Sequence, residues 1–181
     1  MESVRGQLLI AGPSLGDPNF WRTVVLVVEH NEEGALGLVL NRPSETTIGE
    51  AVPQLVELIE PEDDVLVGGP VQRSAVMVLA QFDDPNDAAL IAFEDVGVLK
   101  TDASPSGGWG SVRSARAFAG HAGWGPTQLD EELERGDWIL EPARRADAFA
   151  KDPRELWPAV LRRKGGSYAL VARMPPDTSL N

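Results

Sequence analysis

Residues 22–43 read RTVVLVVEHNEEGALGLVLNRP, and the folding of this stretch decides how the rest of the chain is arranged. Two apolar runs, Thr23–Glu29 and Ala35–Asn41, flank the short polar segment His30–Gly34. Aliphatic and β-branched residues in runs of this length, joined by a few polar residues and a glycine, spell a β-hairpin. Neither run alternates polar with apolar. Strands of that kind sit at the centre of a sheet with both faces covered.

The ends of the hairpin are polar. Arg22 and Thr23 precede one strand, and Asn41 and Arg42 follow the other. With Glu29 set opposite Ala35, Thr23 opposes Asn41 and Arg22 opposes Arg42. Like charges directly opposite each other are unfavourable. Either a small anionic ligand sits between them, or acids from elsewhere neutralise both. A slip of one residue would separate the pair, so the argument depends on the turn. On the first reading Arg22, Thr23, Asn41 and Arg42 are ligand-binding residues. His30 lies at the far end of the strand, where a histidine often bonds to loop backbone.

The chain outside the hairpin supplies more strands early and more helices late. Gln7–Ala11 is a strand closed by Gly12-Pro13. Thr47 and Glu50 form a capping-box pair ahead of Ile48, Val52, Leu55 and Ile59, with Pro53 kinking or restarting that helix. Val65–Gly68 and Ser74–Ala80 read as strands, Asp83–Asp87 as a turn, and Ala89–Phe93 and Val96–Leu99 as short strands. Ser104–Gly110 reads as a flexible loop and Val112–Ala119 as an edge strand. Pro126–Arg135 is a helix with Thr127 and Asp130 as its cap pair, Leu129 and Leu133 facing inward, and Gly136 closing it. Asp137–Glu141 is a strand and Pro142–Ala150 a helix. Asp152-Pro153 starts a further helix bearing Leu156, Trp157, Val160 and Leu161. Ser167–Ala172 is expected to be a last strand. With few strand–helix–strand units, this pattern favours a mixed α+β sheet over a doubly wound one.

A chain of 181 residues is expected to form one domain with a full core. It contains no Cys, so disulfides and thiol chemistry are excluded. The first apolar run, Leu8–Ala11, is too short for a signal peptide or a membrane span, so a cytoplasmic protein is expected. The formal net charge is −12. Residues 1–99 hold 4 basic and 17 acidic residues, net −13, and residues 100–181 hold 12 and 11, net +1. A field of that sign repels nucleic acid and anionic membranes. Arg162-Arg163-Lys164 falls at a helix C-terminus, where the dipole favours cations.

Gly68-Gly69-Pro70 follows a strand. Its glycines either frame a ligand or permit a tight connection. His121–Gln128, HAGWGPTQ, is the other dense cluster. Trp124 in a glycine-flanked turn would either stack on a ligand, with Gln128 and Glu132 on the adjacent helix face, or anchor the turn in the core. Asp130, Glu131, Glu132 and Glu134 otherwise read as a solvated helix face. The glycine-rich segments Gly12–Gly16 and Ser106–Gly110 lack the Lys-Ser/Thr of a phosphate-binding loop and the GxGxxG of a dinucleotide site. No nucleophile elbow is present. Two histidines without HxH or HxxxH spacing make no metal centre. No cofactor or metal is expected.

Taken together, LLIAGPSLGDPNFWRTVV (Leu8–Val25), EHNEEGALGLVLNRP (Glu29–Pro43), GGPV (Gly68–Val71) and GWGPTQLDEELERGDWIL (Gly123–Leu140), followed by a helix with Trp157, resemble the YqgE/AlgH family of bacterial proteins. The match runs from about Gly6 to Gly166. The resemblance implies a compact α+β fold with a mixed, largely antiparallel, bifurcated sheet, part of it barrel-like, flanked by helices. One member takes its name from a reported role in regulating alginate production, but the family brings no DNA-binding motif and no catalytic residue. His121 stands where Tyr is usual, and Leu79-Ala80 where Leu-His is common. The expected function is a cytoplasmic binding or regulatory module for a small anionic ligand or a protein partner. The alternative is a hydrolase or transferase acting on a small anionic metabolite through Arg22, Asn41 and Arg42.

Overall fold

The hairpin forms. In the computed structural model, which describes residues 2–100 and 112–174, strands β2 (Val24–Asn31) and β3 (Gly34–Val39) are antiparallel neighbours, preceded by β1 (Gln7–Ala11). The turn is only Glu32-Glu33, shorter than expected, with the Asn31 Oδ1 accepting the Glu33 N–H at 2.8 Å. The register therefore differs at that end. Val25–Val27 pair with Val39–Gly37, but the ladder then shifts past Val28, so Glu29 faces Leu36 rather than Ala35. A bulge of this kind inserts one residue and leaves the open end of the hairpin undisturbed.

The following elements are β4 (Pro43–Thr47), α1 (Ile48–Ala51), β5 (Asp64–Val67), β6 (Val71–Phe82), β7 (Ala88–Phe93), β8 (Val96–Leu99) and β9 (Val112–Trp124). The chain closes with α2 (Gln128–Glu134), β10 (Trp138–Pro142), α3 (Arg145–Ala148), α4 (Leu156–Lys164) and α5 (Ser167–Val171). The sheet order is β10-β1-β2-β3-β9-β6-β8-β7. It forks at β9, which pairs in parallel with β5 through Phe118 and Ala119 and then antiparallel with β3 through Ala122–Trp124. β4 adds to β5 on that branch. The result is an α+β fold on a mixed, mostly antiparallel sheet. The sheet curls until Gly6 meets the Ala92 carbonyl of β7, a contact that a Cβ would reach at 2.8 Å, but it does not close.

Both faces of the central strands are covered, as their continuous apolar character requires. Leu8, Ile10, Leu26, Leu38 and Phe118 point into one core with Leu156, Trp157, Val160 and Leu161 of α4. Leu9, Ala11, Val25, Val27 and Val39 point the other way, onto Trp124, Leu129 and Trp138. A third core lies under α1, where Ile48, Val52, Leu55 and Val65 pack on Val78, Ala80 and Phe82. Burying each such aliphatic side chain stabilises the fold by about 1.5–3 kcal/mol before entropy is counted.

Several expectations are corrected. Val112–Ala119 is no edge strand. It belongs to β9, which is central and runs on to Trp124, so Trp124 ends a strand rather than sitting in a turn. Ser167–Ala172 is helical from Ser167 to Val171, because Gly165 and Gly166 at positive φ reverse the chain and lay Tyr168 and Val171 against the α4 core. The helix expected over Pro142–Ala150 shrinks to Arg145–Ala148, since Pro142 is still paired with Gln7 in β10. Thr47 caps α1 as read, accepting the Glu50 N–H at 3.4 Å, but Pro53 ends that helix and starts a separate 3-10 turn, Pro53–Leu55. Thr127 is left-handed at φ 64° and makes no side-chain cap. Gln128 replaces it, its Oε1 accepting the Gly125 N–H at 3.0 Å. The loop read over Ser104–Gly110 lies outside the described residues.

Candidate functional site

The open end of the hairpin is held by Asn41. Its Oδ1 accepts the Val24 N–H at 2.9 Å, and its Nδ2 donates to the Arg22 carbonyl at 2.9 Å. The side chain thus replaces the next rung of the ladder. Thr23 is fully buried, and its hydroxyl donates to the Phe20 carbonyl at 2.7 Å. Arg22 adopts φ 53°, a left-handed conformation that costs a non-glycine residue on the order of 1–2 kcal/mol. That turn of the backbone places the Arg22 guanidinium 4.5 Å from the Trp157 ring centre and 5.0 Å from that of Trp21, with Nη2 donating to the Met174 carbonyl at 2.9 Å.

Arg42 donates to the carbonyls of Asn19, Pro18 and Trp21. It clamps the 18–21 turn by main-chain oxygens, besides feeling the charge of an acid, Asp17, as one of the two sequence readings expected. Burial lowers its pKa, and the charge of Asp17 opposes that effect. Burial also lowers the pKa of Arg22. A guanidinium is so strong a base that both side chains stay cationic despite these shifts.

Arg22, Asn41 and Arg42 line one cleft of about 390 Å³ with Trp21, Arg154, Glu155, Trp157 and Pro158. Arg154 comes from the turn ahead of α4, and sequence reasoning missed it. The Asp-Pro start signal placed it at the head of a helix, but only the packing of α4 on β1 brings it to the hairpin. That packing is fixed by Trp157, whose Nε1 donates to the Ala11 carbonyl at 3.1 Å. Trp21 is 44% exposed at the cleft wall, and Trp157 is buried behind it. The arrangement offers cationic and aromatic groups to an anion.

The remaining candidate residues fall elsewhere. Gly68 and Gly69 lie where the β5–β6 connection crosses β9. A Cβ on Gly68 would stand 2.3 Å from the Gly120 carbonyl, and one on Gly69 2.2 Å from the His121 carbonyl carbon. Backbone of Gly120 and His121 fills the space beside these glycines, which serve the close strand connection. Trp124 is 6% exposed. Its Nε1 donates to Glu132 Oε2 at 2.8 Å, and Trp138 Nε1 donates to the same oxygen at 2.9 Å. Gln128 Nε2 reaches Glu132 Oε1 at 3.2 Å. Glu132 is therefore no solvated helix residue: its Oε2 joins Trp124 and Trp138, and the exposed Gln128 meets its other oxygen at the surface. Asp130 is likewise turned inward, 3.2 Å from His30 Nε2, while His30 Nδ1 accepts the Val4 N–H at 3.0 Å.

A mixed, mostly antiparallel sheet that forks at one strand defines the structural class. The sequence profile described as AlgH-like matches residues 8–169, and the chain belongs to that family. A UPF0301 protein of Thermobifida fusca is 40% identical over 190 residues, covering 99% of this chain and 96% of its own. One from Streptomyces coelicolor is 38% identical over 187 residues, covering 100% and 97%. The crystal structure of DIP2367 from Corynebacterium diphtheriae aligns with a TM-score of 0.85 at 29% identity, over 96% of this chain and 94% of that one. The solution structure of AlgH from Pseudomonas aeruginosa aligns with a TM-score of 0.70 at 30% identity, over 97% of each chain. No helix among the described residues is long and apolar enough to cross a membrane.

Proposed function

We propose that this protein is a single-domain, cytoplasmic binding and regulatory module, and that it takes a small anionic ligand in the cleft at the open end of the β2–β3 hairpin. One observation carries the reading: Arg22, Arg42 and Arg154 converge with Trp21 on a single cleft of about 390 Å³. That volume lies within the roughly 300–1,000 Å³ typical of small-molecule sites. Arg42 is pinned on carbonyl oxygens, so its orientation is set before a ligand arrives. Preorganisation of this kind lowers the cost of binding. Arg154 is exposed and supplies the adaptable cation, while Glu155 beside it disfavours ligands of high charge. The overall charge of −12 argues for a small molecule or a protein partner rather than nucleic acid.

Titration with inorganic phosphate and with acetate, followed by tryptophan fluorescence, tests this reading, because Trp21 and Trp157 line the cleft. A saturable change that weakens in Arg154→Ala and at high salt is expected. If neither anion produces a saturable change, or if Arg154→Ala leaves binding intact, the reading fails.

A further inference from the structure

A larger cavity, about 580 Å³, opens at the end of the core beneath α1. Strand β6 creates it. Val71 pairs with His121 and Val76 pairs with Ala119, so the four residues Gln72–Ala75 stand against Gly120 alone. They bow out of the ladder, and Gln72 takes φ 49°. Strained non-glycine backbone and irregular pairing of this kind concentrate at functional sites. The bow leaves the neighbouring core uncovered. Val76 is 37% exposed, although the strand beyond it is buried.

The walls are apolar: Val52 and Leu55 on one side, and Val76, Met77, Val78 and Val98 on the other. The polar groups are few. Gln54, Gln72, Lys100 and His121 line the same cavity. No acid occurs among its described lining residues, in a chain with 28 Asp and Glu. Burial pushes the His121 imidazole below its ordinary pKa, so at neutral pH it serves as an uncharged hydrogen-bonding group. Lys100 is the cation of the set. A few polar groups on an otherwise apolar concavity fix the orientation of a largely apolar ligand.

We infer that this cavity binds a small amphipathic carboxylate, with its hydrocarbon part against Val52, Leu55, Val76 and Met77 and its carboxylate towards Lys100 and His121. The site is distinct from the arginine cleft and shares none of its described lining residues. The chemistry favours one negative charge on a chain or ring. A highly charged anion would strand its remaining charge on apolar walls.

The test compares decanoate with decanol, which share a chain and differ in the charged head. Binding is read by calorimetry and by amide shifts of the 15N-labelled protein at Met77, Val98 and His121. Decanoate is expected to bind one to one and about fivefold more tightly than decanol, the upper range for one partly exposed charge pair. Lys100→Glu lies on an exposed residue. It should reverse that order and leave decanol unchanged. Ala75→Trp, also on an exposed residue, should fill the mouth and abolish binding of both. Amide dispersion equal to that of the wild type verifies that each variant is folded. Three results overturn the proposal: no saturable binding of either compound, equal affinities indifferent to Lys100→Glu, or binding that survives Ala75→Trp.

Discussion

Trp124 and Trp138 donate their indole N–H groups to one oxygen, Oε2 of Glu132, at 2.8 and 2.9 Å. Their rings meet edge to face, with centroids 6.2 Å apart, and Phe20 contacts both. One carboxylate oxygen thus ties the end of β9, the start of β10 and helix α2 together. Two charge-assisted bonds converge there, and each is stronger than a neutral pair. Removing the acceptor would leave two largely buried donors without a partner. Glu132→Ala should therefore cost about 2–4 kcal/mol, from roughly 1–3 kcal/mol for each stranded group with partial rescue by water. Glu132→Gln keeps an oxygen acceptor and should cost less than half as much. Urea denaturation of both variants checks the order, and equal losses would show that the acceptor oxygen is not what matters.

Trp124→Ala should cost about 3–5 kcal/mol, as truncation of a packed aromatic residue does. The ring fills the face of the sheet between Val25, Leu129 and Trp138, and Gly37 leaves it room, since a Cβ there would stand 3.2 Å from the indole. The double variant Trp124→Ala/Glu132→Ala should cost less than the sum of the two, because they share a bond. Additive losses in chemical denaturation would contradict the network.

Asn41→Ala should destabilise the protein by about 1–3 kcal/mol, since it strands the Val24 N–H and the Arg22 carbonyl at the hairpin mouth. Asn41→Asp keeps the acceptor for Val24 and loses the donor to Arg22. Its loss should fall between those of wild type and Asn41→Ala. Hydrogen exchange of the Val24 amide gives the local readout, with protection lost in the alanine variant and kept in the aspartate one.

The parts of the fold legible in the sequence are those decided within one segment. β1 and β8 follow from short apolar runs bounded by Gly-Pro or by turn residues. The β2–β3 pairing follows from two apolar runs and their glycine. Of β9 only Val112–Ala119 is legible, and only as an edge strand, because Ala115, Ala117, Ala119, Gly120, Ala122 and Gly123 carry little side chain to announce a central one. Gly120 is small because a neighbouring backbone comes close: a Cβ there would stand 2.4 Å from the Gly69 carbonyl oxygen. The Ser167–Ala172 segment suits strand or helix locally, and only its packing on α4 decides. Glu132 looked solvated amid EELE, since nothing local reveals two indoles arriving from β9 and β10. The hairpin mouth was visible as a polar interruption, but Arg154 was not, because long-range packing delivers it. The cavity under α1 is built from elements far apart in sequence, and the bow in β6 that opens it leaves no compositional mark.

Acid stability gives the last test. Asp95 accepts from Arg145 Nε at 2.8 Å and from Gln81 Nε2 at 3.0 Å. Burial alone would raise its pKa, but these hydrogen bonds and the charge of Arg145 outweigh it and hold the carboxyl below its ordinary value. A carboxylate whose folded pKa is depressed binds its proton more readily when unfolded. Its contribution is complete above the unfolded value of about 3.9 and is lost as the pH falls from there through the folded value. Asp95→Asn should therefore be less stable than wild type at neutral pH, and the gap should close as the pH drops through that window. Arg145→Gln should show the same convergence. The effect should be small and shrink with added salt, because the Arg145 side chain is 52% exposed. Denaturation midpoints of wild type and both variants across the acid range supply the measurement. A gap that stays constant with pH would mean that the Asp95 carboxylate is not the group whose ionisation stabilises the β7–β8 turn.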